Sequence, residues 1–352
     1  MRNDYLPEID HQLEYRPALD GLRGIAVLLV LITHVTLNSF RGGVGVDIFF
    51  VLSGFLITSL LVNEQQQRGV ISLGRFYLRR FLRLYPSLLI VVLVSSLLLY
   101  TSGLDRSQLI HDSLVTLTYL TPWVLTFSSW SGGMYRHTWS LGLEETFYII
   151  FPLIFLVSKR IGQYVLSTLL LIVGFTTLLL PTYYNQIFLT ANPSWASYNV
   201  RMGGLFIGCG VALLPSVLVK PRGLQGVLIL GFAGYLISIV FFSDNMSEFI
   251  SVICSAMIVK CLWPQNMTQN IPLASILCGR TLTRLGRCSY EIYLIHYPLV
   301  ILTLWELQKN HVNIFRIRII LLVVGIFSIF AAFYLSNFSA KIINRLRNNL
   351  KS

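Results

Sequence analysis

The sequence predicts an all-α integral membrane protein, a bundle of about ten transmembrane helices. Hydrophobic residues make up 55% of its 352 residues and charged residues only 12%, about half the charged share of an average soluble domain. The mean hydropathy is +0.68. So few charges cannot cover a globular core in water, and the chain is far too apolar to be disordered. We therefore expect lipid to surround most of it.

The order of apolar runs and basic loops predicts the topology. Ten runs are long enough to cross about 30 Å of hydrocarbon. With a cytoplasmic N-terminus, 20 of the 27 basic residues fall in cytoplasmic segments, and this bias places both termini in the cytoplasm. The predicted spans are 24–40, 46–62, 86–101, 140–157, 163–180, 203–219, 224–242, 249–263, 289–305 and 317–335.

Two predicted outward loops complete this topology. The loop 102–139 contains a moderately apolar piece, 114–127, that Pro122 interrupts. Counting this piece as a span would move the later basic loops outside, so we predict that it packs on or dips into the membrane face. The loop 181–200 is rich in aromatic and polar residues, which fits either a sugar-facing surface or an interfacial aromatic belt.

Other compositional signals narrow the class further. The net charge of +12 is typical of cytoplasmic loops in a chain this apolar, and we expect no nucleic-acid partner. The five cysteines have no CxxC or CxxH spacing, so neither a disulfide framework nor a metal site is indicated. No cleavage pattern follows the first apolar run, and one membrane domain is expected to fill 1–352.

Arg23 and His34 are prominent polar residues of the first span. They lie eleven positions apart, which on a helix places them on one face, roughly 16 Å apart. An ionisable group in a membrane usually faces a cavity or a partner. The pair fits a site that holds an anion at its cytoplasmic mouth and moves a proton at mid-depth. It equally fits an arginine that snorkels and a histidine that bonds a neighbouring helix.

Two adjacent carboxylates, Glu144 and Glu145, follow Trp139 and Ser140 at the outward mouth of the fourth span. Both cannot face lipid, so one is expected to turn toward a polar pocket, and Glu145 is the better candidate. The alternative is an ordinary helix start, in which carboxylates interact with the helix dipole and Ser140 caps the first turn.

A basic amphipathic stretch precedes the third span on the cytoplasmic side. Arg79, Arg80 and Arg83 have helical spacings of three and four, which place guanidinium groups side by side for a phosphate. An interfacial helix that binds anionic lipid headgroups would have the same pattern.

The glycine-rich segments have simpler explanations. Asp47 follows a glycine-rich turn without the lysine of a phosphate loop, and it can cap the second span. Gly54 is expected to form a close-packing notch, and Gly204 with Gly208 a contact between helices.

Together these motifs resemble the acyltransferase-3 family of integral membrane O-acyltransferases, from about residue 14 to about 335. Members of that family modify surface glycans, lipopolysaccharide O-antigens, exopolysaccharides, peptidoglycan or small natural products with a cytoplasmic acyl-CoA. The motifs that carry the resemblance are 19–26 (LDGLRGIA) with His34, 43–55 (GVGVDIFFVLSGF), 76–86 (FYLRRFLRLYP), 139–148 (WSLGLEETFY) and 289–296 (SYEIYLIH).

The resemblance implies roles for individual residues. Arg23 and His34 match the family's functional pair, and Glu145 matches its acidic position. The element that the family uses for the donor's phosphates matches Arg80 and Arg83, and we add Arg79 to this donor-binding set. Candidates for the acceptor side are Asp47, Trp139, Glu144 and His296. The soluble outward domain that some members append is not expected here.

These assignments predict an O-acetyltransferase that moves an acyl group, most simply acetyl, from acetyl-CoA to a hydroxyl of a surface glycan such as O-antigen or exopolysaccharide. His34 would act as general base and Glu145 would orient it, with no metal. Transfer is either direct or by way of an acyl-His34 intermediate. The alternative is a proton-coupled transporter or flippase in which His34 and Glu145 form a proton relay.

Overall fold

The computed structural model describes residues 15–103, 105–128, 132–158, 161–187, 201–215, 221–242, 244–264 and 271–349. In these ranges every regular element is a helix, which confirms the predicted all-α class. Most of the predicted outward loop 181–200 lies outside the described residues.

Each predicted span overlaps a helix of the structure, and several helices extend beyond the predicted bounds. In chain order the helices are α1 (Pro17–Val35), α2 (Gly45–Arg68), α3 (Leu73–Thr101), α4 (Arg106–Leu117), α5 (Thr121–Phe127), α6 (Trp139–Val157), α7 (Gln163–Ile187), α8 (Met202–Leu213), α9 (Pro221–Phe241), α10 (Asp244–Leu262), α11 (Pro272–Leu277), α12 (Arg280–Arg287), α13 (Ser289–Lys309) and α14 (Ile314–Asn349), with 3-10 turns at Gly42–Val44 and Gly133–Thr138.

Six stretches of the described chain are long and apolar enough to cross a membrane. Helix α8 has only 12 residues, fewer than the roughly 20 that a straight crossing requires. A count of ten crossings and the cytoplasmic position of both termini stay predictions. The six candidate crossings are Pro17–Val35, Gly42–Arg68, Leu73–Thr101, Gly133–Val157, Arg222–Phe241 and Ile314–Ile343.

The stretch 102–139 forms short helices rather than a crossing in the part that the structure describes. Helices α4 and α5 are separated at Tyr119, whose φ is 57°, so 114–127 is not one continuous helix. Asp105 caps α4 by accepting a hydrogen bond of 3.0 Å from the Gln108 N–H. Hydrogen bonds from Ser107 and Gln108 lower the pKa of Asp105 below its usual range, which keeps this cap ionised.

Helix α1 begins earlier and ends earlier than the predicted span 24–40. It starts at Pro17, a residue suited to a first helical turn. It ends before Leu37 and Asn38, whose φ angles of 54° and 60° cannot continue a right-handed helix. His34 therefore lies in the last turn of α1, and its depth in the membrane stays a prediction.

Contacts divide the chain into two compact units. The first comprises Met1–Ala26, Gly43–Ser72 and Leu143–Gly286, and the second comprises Val27–Gly42, Leu73–Gly142 and Arg287–Ser352. In the first unit a Cβ atom on Gly54 would lie 1.9 Å from the Leu205 carbonyl oxygen, and one on Gly208 would lie 2.2 Å from that of Val51. The predicted close packing at Gly54 and Gly208 is confirmed, since only glycine permits this contact between α2 and α8.

In the second unit, helices α3, α13 and α14 meet around a buried polar contact. The Ser87 hydroxyl lies 3.2 Å from Glu291 Oε1 and 2.9 Å from the Ser339 hydroxyl. The Tyr290 hydroxyl donates to the Leu84 carbonyl at 3.0 Å. These contacts fix the first turns of α13, the helix that carries the histidine and tyrosines described next.

Candidate active site

Three histidines come together within the second unit. His34 ends α1, His137 lies in the 3-10 turn before α6, and His296 lies in α13. His34 Nδ1 is 3.1 Å from His296 Nε2. The His296 ring centroid is 5.1 Å from that of His34 and 5.5 Å from that of His137. We call these three residues the histidine cluster.

The hydrogen bonds of the cluster assign the proton on two of its rings. His296 Nδ1 is 3.0 Å from the Ile292 carbonyl, which only accepts, so Nδ1 carries the proton and Nε2 the lone pair. His34 Nδ1 must then be the donor to His296 Nε2, and it also lies 3.0 Å from the Val30 carbonyl. Because the proton of neutral His34 is on Nδ1, its Nε2 presents a lone pair.

Two tyrosines of α13 hold the cluster in place. The Tyr297 ring makes an edge contact with His34 at 4.9 Å and stacks on His137 at 4.8 Å. The Tyr293 hydroxyl donates to the His137 carbonyl at 2.6 Å. The Ser140 hydroxyl lies 2.7 Å from the Tyr293 hydroxyl, so it bonds this side chain and does not cap α6.

His137 differs from the other two histidines in its partners. It is 3% exposed, and the Leu294 and Tyr293 backbone carbonyls of α13 are hydrogen-bond acceptors for its ring. The Leu294 carbonyl has no helical donor, because the residue four positions later is Pro298. Its surroundings are aromatic, with the Tyr293 ring 5.3 Å away between centroids.

The carboxylates after Trp139 belong to the first unit, whereas Trp139 belongs to the second. Glu144 accepts a hydrogen bond of 3.1 Å from the Tyr148 hydroxyl, four residues later on the same face of α6. Glu145 and Trp139 are half-buried. A contact between Glu145 and His34 stays a prediction.

Arg23 also belongs to the first unit. It pairs with Asp20 at 3.7 Å, and the two side chains are 21% and 15% exposed. The turn around it packs tightly, because a Cβ atom on Gly24 would lie 2.4 Å from the Leu282 carbonyl oxygen of α12. Arg23 is thus paired with a side chain one turn earlier on its own helix and is still partly accessible.

The basic stretch forms the first turns of α3, which continues without interruption to Thr101. At about 1.5 Å per residue its 29 residues span about 43 Å, more than the hydrocarbon thickness. Arg79 and Arg83 are exposed, and Arg80 is half-buried. The helical spacing predicted for these arginines is confirmed.

Asp47 belongs to a buried ion network of the first unit. Arg201 donates to Glu248 through Nε at 2.8 Å and also through Nη2. Its Nη1 donates to the Gly43 carbonyl at 3.0 Å and lies 4.0 Å from Asp47 Oδ1. Asp47 has no exposed surface and accepts a hydrogen bond from the Ser251 hydroxyl. We call Asp47, Arg201, Glu248 and Ser251 the ion network.

The comparison with protein families decides the class of the chain. Residues 16–338 match the Acyl_transf_3 family, described as an acyltransferase domain. The chain belongs to this family. Its membership and the six apolar helices make this acyltransferase-family chain a multi-pass membrane protein.

Curated relatives of this acyltransferase-family chain are named O-acetyltransferases. It is 29% identical over 335 residues to "Peptidoglycan O-acetyltransferase OatA" of Listeria monocytogenes, an alignment of 86% of this chain and 52% of the relative. It is 30% identical over 319 residues to "Putative O-acetyltransferase SAS0844" of Staphylococcus aureus, an alignment of 82% of this chain and 51% of the relative. It is 33% identical over 329 residues to "Putative peptidoglycan O-acetyltransferase YrhL" of Bacillus subtilis, an alignment of 82% of this chain and 49% of the relative. The chain spans about half the length of these relatives. No solved structure matches it.

Sequence reasoning singled out His34 and His296 separately but did not pair them, and it gave no role to His137, Tyr293 or Tyr297. The signal available for His137 was its place two residues before the Trp139 motif of this acyltransferase family. Arg201 and Glu248 were also missed as a pair. Their opposite charges just before the sixth and eighth predicted spans, at the outward ends of both, were the available signal.

Proposed function

We propose that this chain transfers an acetyl group from acetyl-CoA to a hydroxyl of a surface glycan, with His34 as general base. The observation that carries the proposal is the pair of bonds at His34 Nδ1, which leave the lone pair on Nε2. Membership in an acyltransferase family and relatives named O-acetyltransferases support the reaction class.

The chemistry requires one proton acceptor that later becomes a donor. A glycan hydroxyl is a poor nucleophile at neutral pH, so His34 Nε2 takes its proton as the oxygen attacks the thioester carbonyl carbon. The new C–O bond forms and the C–S bond breaks. The proton then passes from His34 to the sulfur of CoA, which restores the neutral imidazole.

His296 supports this base as a positioning residue. Its Nε2 accepts the Nδ1 proton of His34 at 3.1 Å, and this bond strengthens when His34 becomes an imidazolium. A partner at Nδ1 that holds the tautomer is the role an aspartate has in a serine hydrolase triad. Glu145 stays a second proposed partner of His34.

Donor and acceptor are proposed to approach from opposite sides of a bacterial inner membrane. Arg79, Arg80 and Arg83 would hold the phosphates of acetyl-CoA at the cytoplasmic side, and Arg23 stays a further candidate in the proposed site. Asp47, Trp139 and Glu144 stay candidates for the acceptor side. The names of two relatives favour peptidoglycan as the acceptor, and O-antigen or exopolysaccharide is the alternative.

The test is transfer of labelled acetyl from acetyl-CoA by the full chain in nanodiscs, with isolated peptidoglycan and O-antigen polysaccharide offered in parallel. His34→Ala should lower the rate by about 10²- to 10⁴-fold, the usual contribution of a general base. His111→Ala is the matched control, because His111 lies in α4 with a 52% exposed side chain. Passage of a substrate across the membrane without transfer would favour a transporter instead.

The same preparation separates direct transfer from a covalent relay. Direct transfer, which we propose, leaves no label on the protein when the acceptor is omitted. Labelled acetyl recovered on His34 under those conditions would show an acyl-His34 intermediate.

A further inference from the structure

Helix α13 contains a proline directly after the residues that contact His34. Pro298 has no N–H, so the Leu294 carbonyl, four positions earlier, receives no donor from its own helix. Leu294 is only 1% exposed, so bulk solvent does not reach it. A buried carbonyl without a partner is unfavourable for folding, and almost all such groups are paired in native proteins. The Leu294 carbonyl therefore needs a donor from another part of the chain.

The ring of His137 is placed to be that donor. The Leu294 and Tyr293 carbonyls are hydrogen-bond acceptors for this ring. A neutral imidazole has a single N–H, and in a helix the Tyr293 carbonyl accepts the backbone N–H of Tyr297. The Leu294 carbonyl is therefore the one that needs the ring proton. His137 is 3% exposed and belongs to the 3-10 turn Gly133–Thr138, so this bond joins that turn to α13.

Two further contacts hold His137 against α13. Its ring stacks on that of Tyr297 at 4.8 Å between centroids, with 26° between the ring planes. Its backbone carbonyl accepts a hydrogen bond of 2.6 Å from the Tyr293 hydroxyl. These contacts reach the turn 293–297, which immediately precedes Pro298. His137 is thus attached to this turn both by its ring and by its backbone.

The same turn carries His296, the proposed partner of the base. His296 Nε2 is 3.1 Å from His34 Nδ1, close to the upper limit of about 3.2 Å for a hydrogen bond from a nitrogen donor. A small displacement of His296 away from His34 would therefore break this bond. A misplacement of about 1 Å in an active site can lower a rate by about 10²-fold. The position of the turn 293–297 thus decides whether the two histidines stay in contact.

We propose that His137 is a positioning residue that acts through α13. Its ring N–H bonds the Leu294 carbonyl in place of the helical donor that Pro298 removes. The turn is thereby fixed, and His296 is held against His34. The proposal rests on the proposed function and deepens it by naming the residue that fixes the partner of the base. His137 keeps its proton throughout, and the bonds that form and break in the reaction are those already described.

The first test compares rate with hydrogen-bonding capacity in the full chain in nanodiscs. His137→Phe keeps the stacking and removes the donor, so kcat should fall by about 10-fold while the KM for acetyl-CoA changes little. His137→Asn and His137→Gln place an amide N–H near the positions of the two ring nitrogens, and one of them should recover most of the rate. His111→Phe is the control, because the His111 side chain is 52% exposed, and it should change neither quantity. A lowered melting temperature with an unchanged kcat in His137→Phe would make His137 a packing residue and overturn the proposal.

The second test restores the missing helical donor. In Pro298→Ala the N–H of residue 298 can bond the Leu294 carbonyl, so the bond from His137 is no longer needed. His137→Phe should then lower kcat by less than about 2-fold, a non-additivity expected of groups that share a partner. Pro152→Ala is the matched control, because Pro152 is a buried proline inside α6, and the full effect of His137→Phe should persist in it. Equal effects of His137→Phe in the wild type and in Pro298→Ala would overturn the proposal.

The third test needs no transfer reaction. The hydrogen bond between His34 and His296 should give an imidazole N–H signal in the NMR spectrum of protein labelled at histidine nitrogen, identified by its loss in His296→Phe. This signal should disappear or shift in His137→Phe and return when Pro298→Ala is added. An unchanged signal in His137→Phe would overturn the inference. A signal that responds as expected, in a wild type that transfers no acetyl group, would count against the proposed function alone.

Discussion

The ion network and the histidine cluster are both buried polar groups among apolar helices. They differ in their partners: the ion network consists of opposite charges that pair, whereas the histidine cluster consists of imidazole rings that contact one another and tyrosines. In the ion network Arg201 pairs with Glu248 and lies 4.0 Å from Asp47, and Ser251 supplies a further hydrogen bond. In the histidine cluster the rings lie against each other and against tyrosines, and their hydrogen bonds go to backbone carbonyls and to one another rather than to charged groups.

The difference follows from the cost of burying charge. A formal charge inside a protein requires an opposite charge and hydrogen bonds. The charged groups of the ion network are therefore engaged with each other, and their contacts hold the helices together. A neutral imidazole can be buried with a nitrogen free, and that nitrogen keeps its ability to bind or accept a proton. We infer that the ion network stabilises the fold and that the histidine cluster performs chemistry.

Removing the arginine of the ion network should give the largest effect on stability. Arg201→Met leaves the carboxylates of Asp47 and Glu248 buried without a counter-charge, which should lower the free energy of unfolding by about 3–5 kcal/mol. The measurement is denaturant unfolding in detergent micelles. The exposed Arg106→Met should change stability by no more than about 0.5 kcal/mol. A stable Arg201→Met protein with greatly reduced kcat would contradict the division of roles.

The fold was more predictable from the sequence than either cluster. Apolar runs are local signals, so each predicted span fell on a helix, and the errors lie at ends such as that of α1, where Leu37 and Asn38 turn the chain. The bond between His34 and His296 joins residues 262 positions apart. A local sequence pattern cannot predict a contact between residues so far apart, and His34 alone fitted a bond to a neighbouring helix as well as it fitted a catalytic role.

Removing His296 should test whether the histidine cluster acts as a unit. His296→Phe takes away the acceptor that holds the Nδ1 proton of His34, so kcat should fall by about 10- to 100-fold, less than for loss of the base itself. The KM for acetyl-CoA and the melting temperature should change little. His296→Gln restores an acceptor oxygen for that proton and should recover much of the rate.

The pH dependence of the same variants separates positioning from packing. If His296 acts through His34, the His296→Phe variant should show a displaced pH profile of kcat, and His296→Gln should move it back. If the wild type and both variants had the same pH profile and the His296→Phe variant had a lower melting temperature, His296 would be a packing residue and not a positioning residue.

The exposed arginines of α3, Arg79 and Arg83, extend the comparison to charges at the surface of the protein. An exposed charge contributes about 0.2–1 kcal/mol to an ionic contact, so Arg79→Gln with Arg83→Gln should raise the KM for acetyl-CoA several-fold and leave kcat unchanged. Salt screens such contacts, and the difference from the wild type should shrink at about 0.5 M salt. Arg280→Gln with Arg284→Gln is the matched control, since these arginines of α12 are exposed and share the spacing of four. An equal rise in KM for the α12 variant would show that the donor responds to the general surface potential, and the phosphate site assigned to α3 would be wrong.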